Sequence, residues 1–137
     1  MKNLFKYLLL VSLFIHINAW ADDNETEVTY DFFTGTVELA PPQSPSPLLL
    51  KRCDGASNQY WLIDHKPNVI AQFMQDYKQQ LASASQAGKK IQLTVIGAYQ
   101  QKNDENFLRV GELEDIKPNT SCHLADWLES LESEQVD

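Results

Sequence analysis

Beyond the first 21 residues, the cysteines and histidines that could serve as metal ligands, or as a nucleophile with its base, are Cys53, His65, Cys122 and His123. A zinc site built from two thiolates and two imidazoles needs both cysteines reduced and all four groups converging on one point. The spacing offers neither C-x-x-C nor H-x-x-x-H, the patterns that place two ligands on one local element. An even pair of cysteines reads more simply as one disulfide, provided the chain is exported to an oxidising compartment. Such a bond closes a loop of roughly 70 residues, worth on the order of 4 kcal/mol in the chain-entropy account, less any strain. Asp64 and His65 are neighbours, but successive side chains at a strand end point to opposite faces, so adjacency does not make a dyad. Nucleophilic catalysis needs a Ser or Cys held beside a base, and no G-x-S-x-G elbow is present. A carboxylate pair for glycoside cleavage does not stand out among 19 acidic residues. The densest acidic group, Glu112, Glu114 and Asp115, reads as a solvated strand edge. We therefore expect no catalytic residue, no metal and no cofactor.

Export is the premise of the disulfide, and the first residues supply it. Met1 to Lys6 carry two lysines and no acid, and Tyr7 to Ile17 form an apolar run broken only by Ser12 and His16. Ala19-Trp20-Ala21 then places small residues at the two positions a signal peptidase reads. A signal peptide over residues 1–21 is expected, with cleavage after Ala21. The apolar run falls short of the ~20 residues of a membrane-spanning helix. No cysteine sits directly after the cleavage point to take a bacterial lipid anchor. The expected mature chain, Asp22 to Asp137, is periplasmic or secreted, with no stable membrane anchor. Loss of Lys2 and Lys6 leaves 9 basic against 19 acidic residues, a net charge of −10. That balance argues against nucleic acid, whose phosphates are bound by displacing counterions with Lys and Arg. It suits solubility and a basic protein partner.

The elements that must position any site follow from pattern. Residues 22–27 are polar and read as a loose N-terminus. A first strand over Val28 to Leu39 changes phase: Val28, Tyr30 and Phe32 share one face, then Phe33, Gly35, Val37 and Leu39 share the other. A bulge or sharp coil beside Gly35 would produce that change. Pro41 to Pro47 is a stiff connector. Leu48 to Arg52 and Gln59 to Asp64 read as a hairpin around the turn cluster Asp54 to Asn58. A helix starts at Pro67-Asn68, with Asn68 as its cap or Pro67 as a first-turn residue, and places Val69, Ile70, Phe73, Met74, Tyr77 and Leu81 on one stripe. Gly88 is its expected C-terminal cap.

Ile91 to Tyr99 alternates strictly, with Ile91, Leu93, Val95, Gly97 and Tyr99 facing one way. Gln100 to Asn106 reads as a polar loop, and Phe107 to Ile116 as a fifth strand with Gly111 near a change of pattern. Leu124, Trp127, Leu128 and Leu131 mark a short amphipathic helix. The expected single domain covers residues 28–131, followed by an acidic tail over 132–137.

Three strands, a helix and two strands, with a coiled first strand, is the order of the OB-fold, a five-stranded Greek-key barrel plugged by a helix at one end. The fold class expected is therefore mainly β, β-β-β-α-β-β, with a short C-terminal helix. Over Val28 to Ile116 the chain resembles small OB-like domains of exported bacterial envelope proteins, distantly the second domain of NlpE-type lipoproteins. This resemblance is one of pattern and assigns no functional residue.

OB-folds commonly bind on the face of strands two and three, between the loops joining strands one to two and four to five. Here that surface would include Lys51, Arg52, Tyr60, Trp61 and Leu62. Tyr60 and Leu62 fall on one side of the strand and Trp61 and Ile63 on the other, so one pair belongs to the core. The function expected is a non-catalytic binding module for a protein or cell-envelope component, including an inhibitor or immunity-type protein against a basic enzyme. A metal-handling or envelope-stress protein and a cryptic hydrolase are the alternatives.

Overall fold

A computed structural model of the chain describes residues 27–56 and 58–134. The expected signal peptide, nearly all of the N-terminal segment and residues 135–137 lie outside that range. Among the described residues five strands form, β1 (Asp31–Leu39), β2 (Leu48–Arg52), β3 (Gln59–Asp64), β4 (Ile91–Lys102) and β5 (Glu105–Pro118). Two helical pieces, α1 (Val69–Asp76) and α2 (Lys78–Ser83), stand between β3 and β4, and α3 (Leu124–Glu134) follows β5. The strands close a barrel in the order β1-β2-β3-β5-β4, with β3 and β5 parallel and the other pairs antiparallel. This is the OB-like arrangement. Closure leaves no unpaired edge, the hazard that short strands would otherwise carry.

Alternation decides what fills the barrel. Leu48 and Leu50 of β2, Leu62 of β3, Ile91, Leu93 and Val95 of β4, and Leu108 and Val110 of β5 are wholly buried. Ile70 and Phe73 of α1 and Leu81 of α2 join the same core from the plugging end. The expected row Ile91, Leu93, Val95 is thus the inner row of β4. Tyr99, two steps past Gly97 in the same phase, is half exposed because β4 has risen beyond the rim.

β1 differs from its sequence reading in two respects. It starts at Asp31, so Val28 and Tyr30 precede it. Its pairing with β2 and β4 is also unbroken, so there is no bulge at the phase change. The strand instead serves both neighbours at once, Gly35 to Val37 pairing with Arg52 to Leu50 on one side and Leu93 to Ile91 on the other. Gly35 permits this through its missing side chain: a Cβ there would collide with the Lys51 carbonyl oxygen. The register shifts lie in β5, which carries an extra residue between Val110 and Glu112 and another between Glu114 and Lys117. The first is Gly111. The second falls at Asp115 and Ile116, and Asp115 takes a left-handed backbone (φ 49°).

The helical segment also departs from expectation at its ends. Asn68 is left-handed (φ 66°) and its side chain caps nothing. The carboxylate of Asp64, at the end of β3, accepts the Ile70 N–H at 2.9 Å and fills that role. Helical geometry lapses at Tyr77 and ends at Ser83, so Gly88 (φ 73°) closes a following turn and caps no helix. The stretch Gln100 to Asn106 is not a loop. β4 and β5 run on as one hairpin around Asn103 and Asp104, both at positive φ (52° and 62°), the backbone of a two-residue type I′ turn.

Cys53 and Cys122 form the disulfide, with a Cα–Cα separation of 5.5 Å. After Pro118 the chain crosses the outside of the barrel, the Thr120 N–H donating to the Lys90 carbonyl on the way. His123 Nε2 lies 3.1 Å from Thr36 Oγ1 and 3.3 Å from the Lys51 carbonyl. A carbonyl only accepts, so Nε2 carries the proton in the bond to Lys51. The root of α3 is thereby tied to β1 and β2. The helix then runs through Glu134, past the residue 131 expected as the domain limit.

Candidate functional site

The five residues singled out from the sequence divide between the two sides of the sheet. Tyr60 and Leu62 face inward; Leu62 is wholly buried and Tyr60 is 7% exposed. Burial removes Leu62 from any surface contact. Arg52 continues the inward phase of Leu48 and Leu50 and emerges at the barrel mouth. There its guanidinium lies 5.4 Å over the Phe33 ring and pairs with Asp54 at 3.0 Å. Lys51 and Trp61 alone of the five belong to the outer face, Lys51 exposed and Trp61 half buried.

Register completes that face with residues the sequence did not indicate. Leu49 of β2 pairs with Trp61 of β3, Trp61 pairs with Phe107 of β5, and Phe107 with Gln100 of β4. Side chains in register share a face, so Leu49, Trp61 and Phe107 form one lateral row on the outside of a closed barrel. All three are half buried. One step along, Ile63 pairs with Arg109, again outward and half buried. Phe107 and Arg109 escaped sequence reasoning because β3 and β5 are parallel and some 40 residues apart. Their outward phase could have been read from the buried pair Leu108 and Val110.

Arg109 gives the face its polar anchor. Its Nη2 donates to His65 Nδ1 at 2.9 Å. Arginine only donates, so Nδ1 is the accepting nitrogen in this pair. Tyr30 meets the His65 ring edge-on at 5.5 Å, and the His65 N–H donates to the Val110 carbonyl at 2.9 Å. Among the described residues no carboxylate forms an ion pair with Arg109. A guanidinium has five N–H donors in a planar fork, so donors remain beside the Trp61–Phe107 row for a ligand carbonyl, hydroxyl or carboxylate.

Two loops adjoin these strands. The proline connector is tied down by Ser46, whose hydroxyl donates to the Leu62 carbonyl. At the other end the β4–β5 hairpin carries Tyr99, whose hydroxyl donates to Asn106 Oδ1 at 2.8 Å. Tyr99 meets Tyr60 edge-on at 6.1 Å, and Tyr60 lies 5.8 Å from Phe33, so an aromatic stack leads from the hairpin into the barrel mouth.

Other regions offer less. A groove of about 420 Å³ between α1 and β5 is lined by Val69, Phe73, Tyr77, Leu113 and Ile116, with Lys66, Gln72, Asp76 and Glu112 also in its wall. None of its lining residues is Ser, Cys or His. Glu112, Glu114 and Asp115 are exposed. His65 and His123 sit in separate hydrogen-bond networks, and both cysteines are consumed by the disulfide. Among the described residues no three His, Cys, Asp or Glu side chains gather as a metal site, and no helix is long and apolar enough to cross a membrane. Comparison with protein-family models, curated proteins and solved structures yields no match.

Proposed function

We propose that this protein is a non-catalytic binding module, exported to the periplasm or beyond, that engages a protein or cell-envelope component through the outer face of β2, β3 and β5. The row Leu49–Trp61–Phe107 carries this reading. Apolar side chains on the outside of a barrel cost solubility unless something covers them, and here three align across three strands. Aromatic rings supply flat contact area with little side-chain entropy to lose. Arg109 and Lys51 lend orientation through directed donors, in a chain otherwise dominated by acids. The disulfide fits an oxidising compartment.

A direct test immobilises the mature chain, residues 22–137, and captures partners from a cell-envelope extract. One reproducible partner should be retained by the wild type and lost from Trp61→Ala and Phe107→Ala. Its equal retention by both variants would overturn the assignment of this face. The inhibitor or immunity version has its own support in the exposed acids of β5. If the partner is a basic enzyme, reversing charge at Glu112 and Glu114 should weaken association and flatten its salt dependence. Unchanged binding would remove that version.

A further inference from the structure

A second surface, the outward side of helix α3, carries an independent assignment. Helix α3 presents Leu124, Trp127, Leu128 and Leu131 to solvent at 68%, 56%, 48% and 42% exposure. These positions, i, i+3, i+4 and i+7, form one apolar stripe. The positions turned toward the barrel are polar: Asp126 and Ser130 are half covered, and Ser130 lies beside Gly88. The stripe is therefore not the helix's means of docking onto its own domain. Its root is nonetheless firmly held. Cys122 is bonded to Cys53, the His123 ring reaches Thr36 and the Lys51 carbonyl, and the Ser121 hydroxyl donates to Asp126 at 2.6 Å.

We infer that α3 is a pre-mounted helical ligand, and that its occupant is a protein groove with an apolar floor and a rim of Lys and Arg. The spacing is that of helix-in-groove recognition, in which alternate turns insert anchors into one channel. Charge selects among the occupants. Glu129 and Glu132 adjoin Leu128 and Leu131 in the chain and are exposed, and the helix contains no basic residue. A second copy would bring these acids against their own counterparts. An anionic membrane surface would repel them, since helices that lie on such surfaces carry Lys and Arg on their polar side. A basic rim is the complement that remains. The disulfide, by holding the helix root, lowers the ordering cost that a free peptide ligand would meet on binding.

The test uses the mature chain with Trp61→Phe, so that Trp127 is the one tryptophan reporting. The probe is a short amphipathic helical peptide of leucine and lysine, with a leucine and glutamate peptide of the same pattern as control. The lysine peptide should shift Trp127 emission to the blue, with affinity falling as salt rises. Leu128→Ala, and separately Glu129→Lys with Glu132→Lys, should each weaken it on the order of tenfold, while the unfolding midpoint stays put. No shift, an equal response to the glutamate peptide, or indifference to both variants would overturn the inference. Sedimentation showing a dimer that Leu128→Ala dissolves would assign the stripe to a second copy instead. Blue-shifted emission on vesicles of phosphatidylglycerol and phosphatidylcholine would assign it to the membrane, and either result also overturns the groove.

Discussion

Helices α1 and α3 make the instructive comparison, because in sequence they look alike. Each carries an apolar stripe at three- and four-residue steps with polar residues elsewhere. In α1 the stripe is core: Ile70 and Phe73 are buried among Leu62, Val110 and the other barrel side chains. In α3 the equivalent positions stand in water. An amphipathic pattern states that a helix has a face to cover, but not which molecule covers it. For α1 the open end of the barrel is the cover. For α3 the bond at Cys122 fixes the root, and the polar inner positions turn the stripe away from the domain.

The widest separation between the two helices should appear on truncating their stripes. Phe73→Ala opens a cavity in the plugged end and should cost about 3–5 kcal/mol in a denaturant unfolding experiment. Leu128→Ala, examined in the same way, should stay within about 0.5 kcal/mol. If the two costs were similar, α3 would be packed on the domain and the contrast would fail. Next in size is the bond that mounts α3. Replacing Cys53 and Cys122 by Ala together should lower stability by about 2–4 kcal/mol. It should also raise amide exchange in residues 122–128 more than in α1, which no disulfide anchors. Exchange rising equally in both helices would mean that the disulfide stabilises the fold without specifically holding α3. A smaller effect belongs to the start of α1. Asp64→Ala removes the acceptor of the Ile70 N–H and should cost about 1 kcal/mol, the usual value of a helix cap. Asn68→Ala should show no loss of a cap, since its side chain makes no such bond.

Much of the fold was legible because alternation is a local signal. Tyr60 and Leu62 against Trp61 and Ile63, or Leu108 and Val110 against Phe107 and Arg109, divide into two faces on the period of a strand alone. What alternation does not carry is which face is inside, and so the five residues first assigned to one surface split between core and exterior. Two features had signals that were passed over. Asn103-Asp104 suits the positive φ of a tight hairpin turn, yet the polar run around it reads as a loop. Asp64 reads as the terminus of a strand, although its carboxylate accepts the Ile70 N–H and caps the helix. Others had no local signal. The face of Trp61 with Phe107, and of Ile63 with Arg109, exists only through a parallel pairing of distant strands.

The sequence by itself determined the element order, the alternation of β4, the pairing of its two cysteines and the acidic balance of the surface. These follow from periodicities and counts that each segment carries locally. Tertiary structure alone decided three further matters. It chose the side of β3 that is core, assembled the outer row from three strands, and left the stripe of α3 uncovered. Each of these depends on which segment lies against which. Register and barrel closure settle that through packing among distant residues, and no single segment encodes it.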